Sequence, residues 1–237
     1  MIPHDLFAMY TAKATEYLIA IGYLLLFIPF WHFVQGGKPA AAYARAARQR
    51  LDQIAGWFAV PERVYFHPGH AWARPAGNGV LTVGLDEFAQ KLVGDISAVA
   101  LPPIGARLGQ GEKGWSLISD AKAIDMLSPV DGTVAVVNDR LIAHPELLQA
   151  DPYGEGWLMK VQASRPTANL NQLLSGALAR RWMEEATGTI QGMMSPDLGR
   201  LSQDGGAPVQ GMARRLSGGN WEDVCKRFFL TGGASCE

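Results

Sequence analysis

The chain is short of cysteine, of charge and of any excess of one sign. Only Cys225 and Cys236 occur among 237 residues, both near the C-terminus, too few and too poorly placed for a disulfide framework or a four-ligand zinc site. Charged residues make up 18% and the formal net charge is -1. That balance argues against a nucleic-acid partner, because nucleic-acid-binding domains are strongly basic. The five histidines, at positions 4, 32, 67, 70 and 144, make no metal-ligand cluster, and only His67 and His70 have a suggestive spacing. No nucleophile with a base, no glycine-rich phosphate loop and no pair of catalytic carboxylates is visible, so the chain is not expected to be an enzyme on its own.

Long apolar runs are also scarce, with one exception. Residues 17–34, YLIAIGYLLLFIPFWHFV, contain no acid, lysine or arginine. As a helix rising about 1.5 Å per residue they would extend roughly 27 Å, near the hydrocarbon thickness of a bilayer. A cleaved signal peptide and a buried hairpin helix are the alternatives. Lys13 alone precedes the run as a lysine or arginine, whereas Lys38, Arg45, Arg48 and Arg50 follow it, and basic residues prefer the cytoplasmic side. The expectation is a single-pass membrane anchor over residues 1–36, with the rest of the chain on the cytoplasmic side.

Gly36-Gly37-Lys38-Pro39 then breaks the helix. Residues 40–58 carry Ala44, Ala47, Leu51, Ile54 and Phe58 at spacings of three and four, an amphipathic stripe. They read as a helical stalk over residues 37–62, lying on a membrane or packed on a globular domain. From Val64 the texture changes to short apolar runs punctuated by glycine and proline: VYF, VLTVG, ISAVALP, GWSLIS, DGTVAVV and GWLMKV. Such runs at close spacing point to an all-β sandwich or flattened barrel. Two helical inserts are expected, LDEFAQKLV at residues 85–93 and HPELL at residues 144–148. Residues 169–187 read as one amphipathic helix, residues 188–220 as a Gly, Pro, Ser and Met-containing stretch, and WEDVCKRFFL at residues 221–230 as an amphipathic docking helix.

One hairpin carries a candidate for chemistry. Ser119-Asp120-Ala121-Lys122-Ala123 lies between GWSLIS and the run leading to Ser128-Pro129-Val130-Asp131-Gly132. A protein that carries a group on a swinging arm needs a lysine on an exposed, tightly held turn, so that the arm reaches several active sites from a fixed base. Any solvent-facing hairpin can hold a lysine, and spacing alone does not decide the matter.

The surrounding residues decide more. Phe66-His67-Pro68-Gly69-His70-Ala71-Trp72, Val83-Gly84-Leu85-Asp86-Glu87-Phe88-Ala89-Gln90, Gly94-Asp95-Ile96 with Val99-Ala100-Leu101-Pro102, Lys122-Ala123 with Ser128-Pro129-Val130-Asp131-Gly132, and Asp151-Pro152-Tyr153-Gly154-Glu155-Gly156-Trp157-Leu158 occur in this order. Over roughly a hundred positions they resemble the H protein of the glycine cleavage system. The resemblance implies a mainly β fold, a hybrid barrel-sandwich lipoyl domain with short helices over residues 63–166. It would be preceded by the transmembrane helix and followed by a helical, partly flexible extension over residues 167–237. It implies lipoic acid attached covalently to Lys122, with Ser119, Asp120, Ala121, Ala123 and Asp125 as the recognition surface around it. Lipoate-attaching enzymes and glycine-cleavage-type enzymes are the implied partners.

Two departures qualify this. Where the family has glutamate and serine three and two positions before the lysine, this chain has Ser119 and Asp120, so the acid is shifted by one residue. The soluble family member also has neither a span nor a long C-terminal extension, which suggests a membrane redox complex as an alternative client. Three readings stay open: a carrier for glycine decarboxylation, a membrane-tethered carrier for a redox complex, and an adaptor with Lys122 unmodified. Cys225 and Cys236 read as a buried helix residue and a tail thiol, or as thiols able to exchange with a reduced arm.

Overall fold

The computed structural model describes residues 4–34, 57–193, 210–217 and 220–231. Two units separate, residues 1–51 and residues 52–237. The first contains the helix α1, His4–Val34, on which Tyr23, Phe27 and Trp31 stack one turn apart with ring centroids 5.7 Å from one to the next. No helix among the described residues is long and apolar enough to cross a membrane. That overturns the span expected over residues 17–34, and with it the membrane anchor and the cytoplasmic placement derived from it. The run free of acid, lysine and arginine forms the C-terminal part of α1. Pro29 lies inside that stretch and removes one backbone hydrogen bond. The stalk expected around residues 40–58 lies almost wholly outside the described residues.

The second unit is mainly β, as expected. Its strands are β1 (Tyr65–Phe66), β2 (Ala71–Gly77), β3 (Val80–Leu85), β4 (Ala98–Ala100), β5 (Arg107–Leu108), β6 (Lys113–Ser119), β7 (Lys122–Leu127), β8 (Gly132–Val137) and β9 (Met159–Ala163). They form a six-stranded sheet in the order β1-β2-β3-β9-β8-β5 and a three-stranded sheet in the order β4-β6-β7. All strand pairs are antiparallel. The sheets share one core, in which Leu81, Val83, Val134 and Val161 of the larger meet Val99, Trp115, Leu117, Ile124 and Met126 of the smaller.

Short helices close the gaps: α2 (Glu87–Val93), α3 (Asp139–Ala143), α4 (Leu147–Ala150), α5 (Pro166–Asn171), α6 (Gly176–Met193), α7 (Met212–Ser217) and α8 (Trp221–Phe229). The insert expected to start at residue 85 starts at Glu87, because Leu85 still pairs with Ala71 in the sheet and Asp86 is the N-cap, accepting from the Ala89 amide at 2.8 Å. The other carboxylate oxygen of Asp86 meets His70 Nδ1 at 2.8 Å, and the His70 ring stacks on Phe88 at 4.2 Å. The suggestive His67-His70 spacing is thereby explained as structure: His70 ties the turn before β2 to α2, and His67 Nδ1 accepts from the Gly69 amide. The single helix expected over residues 169–187 is two, α5 and α6. It breaks because Leu174 exchanges backbone hydrogen bonds with Phe66, both at 2.8 Å.

Two glycines are demanded by close approach. A Cβ on Gly132 would lie 2.3 Å from the Gln162 carbonyl of the neighbouring strand, and one on Gly84 would lie 2.2 Å from the ring of Trp72. Trp72 is fully buried and its indole N–H donates to the Leu85 carbonyl, so the ring has nowhere to go. Gly84→Ala is expected to destabilise the protein by about 2–3 kcal/mol, the scale of overpacking a rigid core. Urea unfolding of the variant measures it, and a change below ~0.5 kcal/mol would contradict the packing described.

Candidate functional site

Strands β6 and β7 are joined by two residues, Asp120 and Ala121, and their register sets Ser119 opposite Lys122, Ile118 opposite Ala123 and Ser116 opposite Asp125. A two-residue link between antiparallel strands favours a turn with positive φ at both positions, since its twist matches that of the strands. Asp120 has φ 49° and Ala121 φ 60°. Neither is the glycine that adopts this geometry freely. The hairpin tip is therefore held by its strands against a local backbone preference.

Alternation along β7 then decides where each side chain goes. Ile124 and Met126 are buried in the core, and Lys122 shares their face. Its side chain therefore leaves the hairpin on the core side, just beyond the rim of the core, and remains 42% exposed. Ala123 and Asp125 lie on the opposite face, with Ala123 exposed. Asp125 accepts from Ser116 Oγ at 2.7 Å and pairs with Lys113 Nζ at 2.8 Å. Partial burial raises the carboxyl pKa, but the hydrogen bonds from Lys113 and Ser116 and the charges of Lys113 and Lys226 outweigh it and hold the group below its ordinary range.

The rest of the site comes from the C-terminal helices. Lys122 Nζ forms an ion pair with Glu222 and lies 5.7 Å from the centre of the Trp221 ring. Arg214 of α7 reaches Asp120 at 2.7 Å, donates to Ser119 Oγ at 2.5 Å and lies over the Trp221 ring at 4.7 Å. Ser119 is itself buried and donates to the Asp95 carbonyl. The hydrogen bond from Lys122 is the main cause that holds the Glu222 carboxyl below its ordinary pKa.

The structure thus brings together all six residues singled out on the hairpin, Ser119, Asp120, Ala121, Lys122, Ala123 and Asp125, and adds Arg214, Trp221 and Glu222. The amphipathic pattern of residues 221–230 announced a docking helix; nothing in it named the hairpin as its seat. An amine on a tight, strand-held turn, partly open to solvent, has the chemistry needed for acylation.

Comparison with known proteins fits this geometry. The family model for the glycine cleavage H-protein matches residues 64–186, just over half of the chain. The chain belongs to the glycine cleavage H-protein family. It is 39% identical over 109 residues to the glycine cleavage system H protein of Mycobacterium avium, covering 46% of this chain and 83% of that one. To the H protein of Alteromonas mediterranea it is 41% identical over 104 residues, covering 44% and 81%, and to that of Salmonella arizonae 36% over 126 residues, covering 53% and 97%. The crystal structure of an H protein from Mycobacterium marinum aligns with a TM-score of 0.47 at 26% identity, over 54% of this chain and 98% of that one.

Members of this family are non-catalytic carriers with lipoate attached covalently to a lysine, working with the glycine cleavage enzymes and with lipoate-attaching enzymes. The chain is accordingly a lipoyl carrier of the H-protein kind. The family match ends at residue 186, so α7 and α8 lie beyond it.

Cys225, on α8, is fully buried. Burial pushes its thiol up to about 12, and only a thiolate attacks a disulfide. Cys236 lies outside the described residues. In the native protein at pH 8, Cys225 is expected to stay unlabelled by an aromatic disulfide reagent and to react fully after guanidinium unfolding, as read by peptide mapping. Stoichiometric labelling of Cys225 within minutes in the folded chain would contradict its burial.

Proposed function

We propose that Lys122 is the lysine that bears the lipoyl group, and that the arm carries the aminomethyl group released in glycine decarboxylation. The observation that carries this reading is the placement of Lys122 as the first residue after a two-residue turn, opposite Ser119, with its amine beyond the rim of the core. A base held by two paired strands keeps the origin of a long arm fixed while its tip visits successive active sites. The lipoyl dithiolane supplies a two-electron, group-carrying pair of sulfurs when attached. This chain's own residues present the amine, hold the turn and form the surface that partner enzymes read: Asp120 at the tip, Ala123 and Asp125 on the outer face. The H-protein domain of this reading covers at least residues 63–166, and the family match carries it on through α5 into α6.

The shift of the acid to Asp120 leaves it in the turn itself and two residues from the lysine, so the tip keeps an acidic side chain. The membrane redox complex loses one of its motives, since no helix among the described residues is long and apolar enough to be the span that suggested it. A glycine-decarboxylation assay reconstituted with the partner enzymes and the lipoate-treated chain tests the proposal. The intact chain is expected to support turnover and Lys122→Arg, which keeps charge and length but cannot form the lipoyl amide, to fall to background. Equal activity of the two would place the arm elsewhere. No activity from a chain shown to carry lipoate would exclude glycine decarboxylation as its reaction.

A further inference from the structure

The side chains that hold Lys122 come from outside the family match, and they hold it by its charge. Glu222 offers a carboxylate to the ammonium, and the face of the Trp221 indole lies 5.7 Å from Nζ, a distance at which a cation is attracted by the ring. Trp221 is almost fully buried and is fixed from its other contacts by Arg214, which also grips Asp120 and Ser119. The first turn of α8 is therefore built against one state of the hairpin, the one with a free, charged lysine.

Acylation removes that state. In the modification the Nζ–carbonyl amide bond forms, the bond from the lipoyl carbonyl carbon to the phosphate of an activated acyl-phosphate donor breaks, and the ammonium gives up two protons. The product is a neutral amide, which can neither pair with Glu222 nor attract the indole as a cation. The helix does not leave with it. Cys225, Phe228 and Phe229 of its second half are buried, with Phe228 5.2 Å from Phe88, and Gly211 ahead of α7 donates its amide to the Lys91 carbonyl at 2.9 Å. What changes is confined to the first turn of α8.

Resting on the assignment of the lipoyl group to Lys122, we propose that Arg214, Trp221 and Glu222 form a clamp specific for the unmodified hairpin. The clamp restrains the amine before lipoylation and is released by it. A ligase must draw Nζ out of the clamp before attack, so only the unclamped fraction of the chain is competent and the apparent efficiency falls by that fraction. Both contacts are partly open to solvent, and the expected restraint is roughly three- to tenfold.

The test is lipoylation of the full chain by a lipoate–protein ligase at limiting enzyme, followed by peptide mass spectrometry, with the soluble H protein of the ligase's own source in the same tube. Glu222→Gln keeps the shape of the side chain and removes the charge. It is expected to be lipoylated about three- to tenfold faster than the unaltered chain. Titration of the Glu222 carboxyl by NMR in the unaltered chain gives an independent reading: lipoylation removes the Lys122 hydrogen bond and charge that hold this carboxyl below its ordinary range, so its pKa should rise toward that range. Equal rates for the two chains, both lipoylated, or a Glu222 titration unchanged by lipoylation, would overturn the clamp and leave the carrier assignment intact. If neither chain is lipoylated while the soluble H protein is, the assignment of Lys122 fails and the clamp fails with it.

Discussion

The register of one hairpin is the constraint on which the rest depends. With two residues between β6 and β7 and Ser119 opposite Lys122, every side chain of β7 is committed to a face, since a slip of one residue would exchange the faces. Ile124 and Met126 go into the core, and their burial, at about 1.5–3 kcal/mol for each large apolar side chain, selects this register over the alternative. Lys122 follows them by parity. The same apolar burial that builds the core thereby aims the lysine along the rim of the sheet and toward the first turn of α8. The unfavourable φ of Asp120 and Ala121 is tolerated because the strands on either side determine the turn.

The remainder of the domain supports that hairpin. β4 pairs with β6 on its far side, Ser119 is bonded to the segment before β4 through the Asp95 carbonyl, and α2 is anchored by the buried contact of Asp86 with His70. Removing one partner of such a buried hydrogen bond costs about 1–3 kcal/mol, because the other is left unsatisfied. Gly94, at the end of α2, is where α7 arrives: a Cβ there would sit 2.8 Å from Gly211. A chain of contacts therefore runs from the turn before β2, through α2, to the helices that hold Lys122. The carrier site and the core share these elements.

Much of this was legible in the residues. The runs VLTVG, GWSLIS and DGTVAVV are strands because β-branched and aromatic side chains suit a pleated, half-buried surface, and the lysine between two of them was marked by its setting. β2 was hidden because Ala71–Gly77 contains Pro75 and ends in glycine. The proline is tolerated because β1 pairs only as far as Ala73, so Pro75 lies past the end of that neighbour. The break between α5 and α6 depends on a backbone pairing with Phe66 from a hundred residues away, which no local pattern contains. The place of α8 was equally out of reach: an amphipathic stripe says that one face is covered, never by what. The expected membrane span shows the converse error, in which an apolar run was taken for a bilayer signal although the helix that forms does not meet the requirement of length and apolarity.

The central claim is that this H-protein-family chain carries its lipoyl group on the hairpin at Lys122. Peptide mass spectrometry of the protein isolated from cells competent in lipoylation tests it most directly. The account predicts that the peptide spanning β6 and β7 is heavier by one lipoyl group, with fragment ions assigning the added mass to Lys122. A wholly unmodified Lys122, in cells whose other lipoyl proteins are modified, would contradict it and leave the domain as an adaptor.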